Sequence, residues 1–188
     1  MTRPDDMVEL ERQLAAVEAE ARALVRALDA ETGTRRPCAG GWSVAECLDH
    51  LAVANRVYLG AMREPAARAR RAGRMRRRPA MPGLLGGLFV RSLEPPARHR
   101  SRAPRNIVPR VGPALADAFD AFLDAHAAVG AFLRENADLD LASIRFPNPL
   151  VRGIRFSLAT GLHVIAAHER RHLWQARKVV AEARGSRD

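Results

Sequence analysis

The chain has 188 residues with a formal net charge of +10, enough for one domain with a sizeable core. Its longest apolar stretch, Met81 to Val90, holds three glycines and falls short of the roughly 20 residues of a membrane span. Met1 to Asp6 carries no signal-peptide pattern, so a soluble, cytoplasmic protein without a membrane partner is expected. Cys38 and Cys47 are the only cysteines and form no CxxC, which excludes a disulfide framework.

The basic excess is local. Residues 63 to 110 carry fourteen arginines against Glu64 and Glu94, and Lys178 is the only lysine. Helix formers dominate the composition, which points to an all-α protein.

Met7, Leu10, Leu14, Val17, Ala21, Leu24 and Leu28 recur at spacings of three and four and predict a first helix over 5–28. Gly33 and Pro37 end it, and 34–41 reads as a loop. Ser43 and Glu46 form a capping box, which starts a second helix over 43–62 with Trp42 packed across its first turn. Cys47, His50, Leu51, Ala54 and Tyr58 share its inward face. Cys47 reads as a small buried side chain in preference to a soft metal ligand.

Residues 64–110 break the helical pattern with seven prolines and two arginine runs. They read as a long crossover holding a short helix over Leu84 to Leu93. A third helix is predicted over 112–136 on the stripe Leu115, Phe119, Phe122, Val129 and Leu133. After an irregular segment with a turn at Phe146-Pro147-Asn148-Pro149, a fourth covers 157–183. Four helices with one long, arginine-rich crossover between the second and third make a four-helix bundle over the whole chain, 1–188, as a single domain.

His168 and His172 are one turn apart on one face of the fourth helix. With the second helix beside the fourth, His50 joins them. Three imidazoles with positions left open are the pattern of a catalytic metal site. Neutral imidazole suits zinc or nickel first, with iron and manganese compatible. Gln175, seven residues after His168, lies on the same face and can hydrogen-bond a ligand ring or a bound water. Asp49 and Glu169 point away from the ligand face and read as exposed charges or partners of Arg170 and Arg171. His163 is off the stripe, His126 on the third helix is a weaker candidate, and His99 reads as solvated. The arginines of the connection, Arg98, Arg100, Arg102 and Arg105 among them, read as a solvated loop, as a rim for an anionic substrate, or as phosphate contacts to nucleic acid. No nucleic-acid motif or interleaved aromatics support the last.

Trp42-Ser43, Glu46 and His50-Leu51, followed over a hundred residues later by His168-Glu169, His172 and Gln175, resemble the DinB family of metal-binding four-helix bundles over nearly the whole chain. Pro95 to Pro109 also looks like that family's connection between the second and third helices. The resemblance implies that His50, His168 and His172 hold a divalent metal. It also implies a damage- or stress-related protein. Some members are thiol-dependent transferases or isomerases using mycothiol, bacillithiol or glutathione. A metal-dependent thiol S-transferase or hydrolase of small molecules is therefore expected, with a low-molecular-weight thiol as co-substrate and pairing into a homodimer through a helix face. The alternative is a non-catalytic metal-binding or nucleic-acid-associated stress protein that uses the basic segment 63–110.

Overall fold

In a computed structural model, residues 4–38, 40–96 and 102–185 of the protein are described. Among them the chain is mostly helical, and its long helices pack as a bundle. The first apolar stripe forms α1 (Asp5–Arg26), which buries Met7, Leu10, Leu14, Val17 and Ala21. Asp5 and Asp6 lie in its first turn, where the helix dipole favours negative charge.

The segment after α1 is not all loop. Asp29 accepts a hydrogen bond from the Thr32 amide at 2.7 Å and caps a five-residue helix, α2 (Ala30–Thr34). Gly33 lies inside it, not at the end of a helix. A Cβ at Gly33 would come within 2.4 Å of the Leu115 side chain, so this glycine permits a close approach rather than a stop.

The capping box forms as expected: the Glu46 amide donates to Ser43 Oγ at 3.2 Å, and the Ser43 amide donates to Glu46 Oε2 at 3.0 Å. It opens α3 (Val44–Arg71), which runs past Met62 and through Pro65. A proline inside a helix removes one backbone hydrogen bond. Here Pro65 is buried and is followed by Ala66 and Ala69, which enter the core, and packing carries the helix onward. The connection holds α4 (Leu84–Leu93), with the predicted bounds, and a single 3₁₀ turn at Arg105–Ile107. Then come α5 (Leu115–Glu135), the short antiparallel strands β1 (Arg145–Pro147) and β2 (Arg155–Ser157), and α6 (Leu158–Gly185). In the hairpin Phe146 stands opposite Phe156, and Asn148 Oδ1 accepts from the Leu150 and Val151 amides at its turn.

The core has two apolar clusters. One takes Met7–Leu14 from α1, Tyr58–Ala69 from α3, Val129–Leu133 from α5 and Leu158–Ala166 from α6. The other takes Val17 and Ala21, Val44–Ala52, Leu115–Ala125 and Leu173–Val180. Chain order through the two clusters fixes the directions. α3 and α5 run one way, and α1 and α6 run the other. Two consecutive long helices that run parallel need a connection the length of the bundle, which is why the crossover is long.

Arginines at the end of α3 and in the connection after it tie that stretch to other parts of the fold. Arg70 and Arg78 pair with Asp138 and Asp140 at 2.8 and 3.5 Å, and Arg76 pairs with Asp6 at 2.6 Å. No helix among the described residues is long and apolar enough to cross a membrane.

A candidate metal centre between α3 and α6

Between the two apolar clusters lies a layer of polar side chains. His50 and Asn55 come from α3, His126 from α5, and His168, Glu169 and His172 from α6. Because α3 and α6 are antiparallel neighbours, residues in the first turns of α3 meet residues near the middle of α6. One ring nitrogen from each of His50, His168 and His172 can be chosen so that all three lie within 4.8 Å of one another. His50 and His172 are buried, while His168 is half-buried.

Backbone oxygen sets the first ring. His50 Nδ1 lies 2.6 Å from the carbonyl oxygen of Ile107. A carbonyl only accepts, so Nδ1 carries the proton and Nε2 keeps its lone pair. That Nε2 lies 3.2 Å from Nε2 of His168. Two nitrogens held about 2.0–2.1 Å from one tetrahedral zinc would be about 3.3 Å apart, so this spacing fits two ligands of one ion. The indole of Trp42 covers the rings, 4.6 Å from His50 and 5.7 Å from His172 between centroids.

All three imidazoles are held neutral. Burial lowers the pKa of His50, against the raising effects of the Ile107 carbonyl and Asp49. Burial, with His50 and Arg171, pushes His168 down to about 3. Burial first, then His168, His50 and Arg171, holds His172 well below the ordinary histidine range. Neutral imidazole is the form that binds metal. His172 Nδ1 is also buried without a hydrogen-bond partner, and a buried polar atom left so is costly. An ion shared with its two neighbours would satisfy such a nitrogen. The donor set therefore fits a divalent cation.

Two carboxylates next to the ligands differ from the sequence expectation. Asp49 is buried and accepts from the Arg110 amide at 2.8 Å and from its guanidinium at 2.7 and 2.9 Å. This clamp fixes the returning connection, and with it the Ile107 carbonyl, over the start of α3. Glu169 is fully buried. Its Oε1 accepts from Asn55 Nδ2 at 2.8 Å and from His126 Nδ1 at 2.8 Å. Arg170 binds Glu94 instead, and Arg171 donates to the Ser92 carbonyl. The one-residue offset from a ligand turned both carboxylates away from the metal face, but neighbouring elements, not solvent, occupy that side.

His126 thus braces the residue beside His168 instead of joining the three rings. Burial lowers its pKa, but Glu169, with Glu18 and the Leu14 backbone, outweighs burial and the net shift is upward. Gln175 is half-buried and near enough to raise the pKa of His172, without a hydrogen bond to that buried Nδ1. Cys47 is buried, and burial pushes its thiol pKa up. His163 hydrogen-bonds the Ala80 carbonyl at 3.1 Å. Arg98, Arg100 and His99 lie outside the described residues; Arg102 and Arg105 are exposed. The Ile107 carbonyl had no signal in the sequence, because any residue type supplies one. Two surface cavities, of about 420 and 620 Å³, are lined in part by arginines and do not touch the histidines.

Residues 13–176 match the family model described as DinB superfamily. No curated protein and no solved structure matches the chain. A match over most of the length, with three histidines brought together from α3 and α6, leads to one assignment: the chain belongs to the DinB superfamily.

Proposed function

We propose that the protein is a metal-dependent thiol S-transferase or hydrolase of small molecules, with a divalent cation held by His50, His168 and His172. The observation that carries this reading is the convergence of three neutral imidazole nitrogens within 4.8 Å, one of them half-buried. Zinc or nickel is favoured, since imidazole suits both, with iron or manganese compatible. A cation on three imidazoles would keep a position open, lower the pKa of a water or thiol there and supply a nucleophile near neutral pH.

The protein's own groups do the rest. The Ile107 carbonyl holds the His50 tautomer with Nε2 inward. The Arg110–Asp49 clamp holds that carbonyl in place. Trp42 shields the rings on one side and limits the entry of bulk water. Gln175 stands at the His172 end of the site, where its amide can donate to an incoming group.

Cobalt replacement tests the reading. The cobalt-loaded protein is titrated with glutathione, mycothiol and bacillithiol, each then offered an electrophile. A change in the cobalt visible spectrum with one thiol, followed by thiol consumption, is the expected result. An unchanged spectrum with every thiol, and no hydrolysis of ester or amide probes, would remove both activities and leave metal storage.

A further inference from the structure

α4 is apolar on both sides. Gly86, Phe89, Val90 and Leu93 recur at the helical period on its inner side. Phe89 packs against Phe156 at 5.2 Å between centroids, and Val90 and Leu93 also pack on the core. A Cβ at Gly86 would come within 2.6 Å of Thr160 Oγ1, so α4 lies directly on α6. The outer side carries Leu84, Leu85 and Leu88, which are 84%, 80% and 56% exposed, with Met81 54% exposed just before the helix. Single exposed leucines are ordinary, but neighbouring ones on one short helix form a patch that marks a contact surface. Apolar helix faces are normally buried, and here the outer one has no partner among the described residues.

Basic side chains flank this patch along the chain. Residues 79–90 hold no charged side chain. Arg77 and Arg78 precede them, and Arg91 follows, seven residues after Leu84 and therefore on the same outward stripe. Arg77 and Arg91 are exposed and have no ion pair among the described residues, although Arg77 lines a cavity with Asp5 and Asp6. Glu94, the acid nearest in sequence, is engaged by Arg170.

We propose that α4 seats the protein on an anionic lipid surface, with Leu84, Leu85 and Leu88 at the acyl boundary and Arg77 and Arg91 on headgroup phosphates. Charge selects this occupant. A second copy packed through the same face would set the same leucines and the same Arg91 against each other, and Glu94, the acid beside them on the chain, is already taken by Arg170. A membrane surface with anionic lipid offers an apolar interior and a negative boundary together. No helix among the described residues is long and apolar enough to cross a membrane, so α4 would lie in the interface, in contrast to the expectation of no membrane partner. Its C-terminal end is tied to α6 beside the ligand turn, through Arg170 to Glu94 and Arg171 to the Ser92 carbonyl.

Flotation of the full chain with vesicles tests the proposal. Phosphatidylcholine vesicles are compared with phosphatidylcholine containing phosphatidylglycerol at physiological salt. The protein is expected to float with the anionic vesicles only. Leu84→Ser with Leu85→Ser should weaken partition by about tenfold or more, and each of Arg77→Gln and Arg91→Gln by about fivefold. A tryptophan placed by Leu85→Trp should shift its emission to the blue on anionic vesicles. These side chains are exposed, so unchanged far-UV circular dichroism is expected for every variant. No flotation overturns the proposal, as does flotation that ignores the leucine pair and so reflects basic charge alone. A dimer in sedimentation equilibrium that the leucine pair dissolves overturns it in favour of a second copy.

Discussion

At the residue scale, the side chains that hold the ligands in place make the sharpest predictions. Asp49 touches no ligand directly, yet it anchors the Arg110 backbone and guanidinium three residues from the carbonyl that orients His50. Asp49→Asn keeps the shape and removes the charge. It should lower metal affinity by about 10–100-fold, the range for partners that orient metal ligands, while the helical circular dichroism stays unchanged. Competition with a chromogenic chelator measures this; unchanged affinity would separate the clamp from the site. Glu169 belongs to a buried network in which Asn55 and His126 both donate to one oxygen, while its Oε2 and Asn55 Oδ1 have no partner. Glu169→Ala strands two donors in the core and should destabilise the protein by about 3–5 kcal/mol, read by urea denaturation. A loss near zero would show that water satisfies the network.

At the element scale, the helices were legible where one face carries the signal. The stripe of α1, the capping box of α3 and the bounds of α4 could all be read from spacing. Three things could not. α2 is a single short stretch set by the Asp29 cap. The far third of α3 continues through Pro65 because its alanines enter the core, a tertiary effect that overrides local propensity. The strands are three residues each, too short for a two-residue alternation to show. Gly161 makes the packing argument testable. An alanine there gains about 1 kcal/mol of helix propensity. Its Cβ would lie 2.8 Å from Phe146 Cζ and 3.0 Å from Met62 Sδ, both fully buried. Overpacking costs about 1–3 kcal/mol, so Gly161→Ala should lower the melting temperature despite its better propensity. A rise would mean that the hairpin yields.

At the scale of the whole molecule, the order of the helices and the polar layer between two apolar clusters explain both the long crossover and the place of the histidines. The three histidines could be read from the sequence because α6 carries two of them one turn apart. The partners that fix them could not, since one is a backbone carbonyl and the other arrives from 61 residues away.

Acid should destabilise the fold. Burial raises Asp6 and Glu46, but hydrogen bonds from Arg76 and Ala80 to the first, and from Arg36 and Ser43 to the second, outweigh it and both are lowered. The hydrogen bond from Arg70 lowers Asp138 against its burial. With folded values below 3.8 for the aspartates and 4.5 for the glutamate, the unfolded chain binds more protons as pH falls through that range. Their contribution is present above about pH 5 and is lost below it. Urea midpoints at pH 7 and pH 4 measure this, and a higher midpoint at pH 4 would reverse the sign.

The central claim is that His50, His168 and His172 hold one divalent cation. Elemental mass spectrometry of the purified, untagged protein, beside His172→Ala, tests it most directly. The account predicts close to one divalent metal per chain, lost in the variant while the helical fold remains. A chain that takes up no zinc, nickel, iron or manganese on reconstitution, or a variant that keeps its metal, would contradict it.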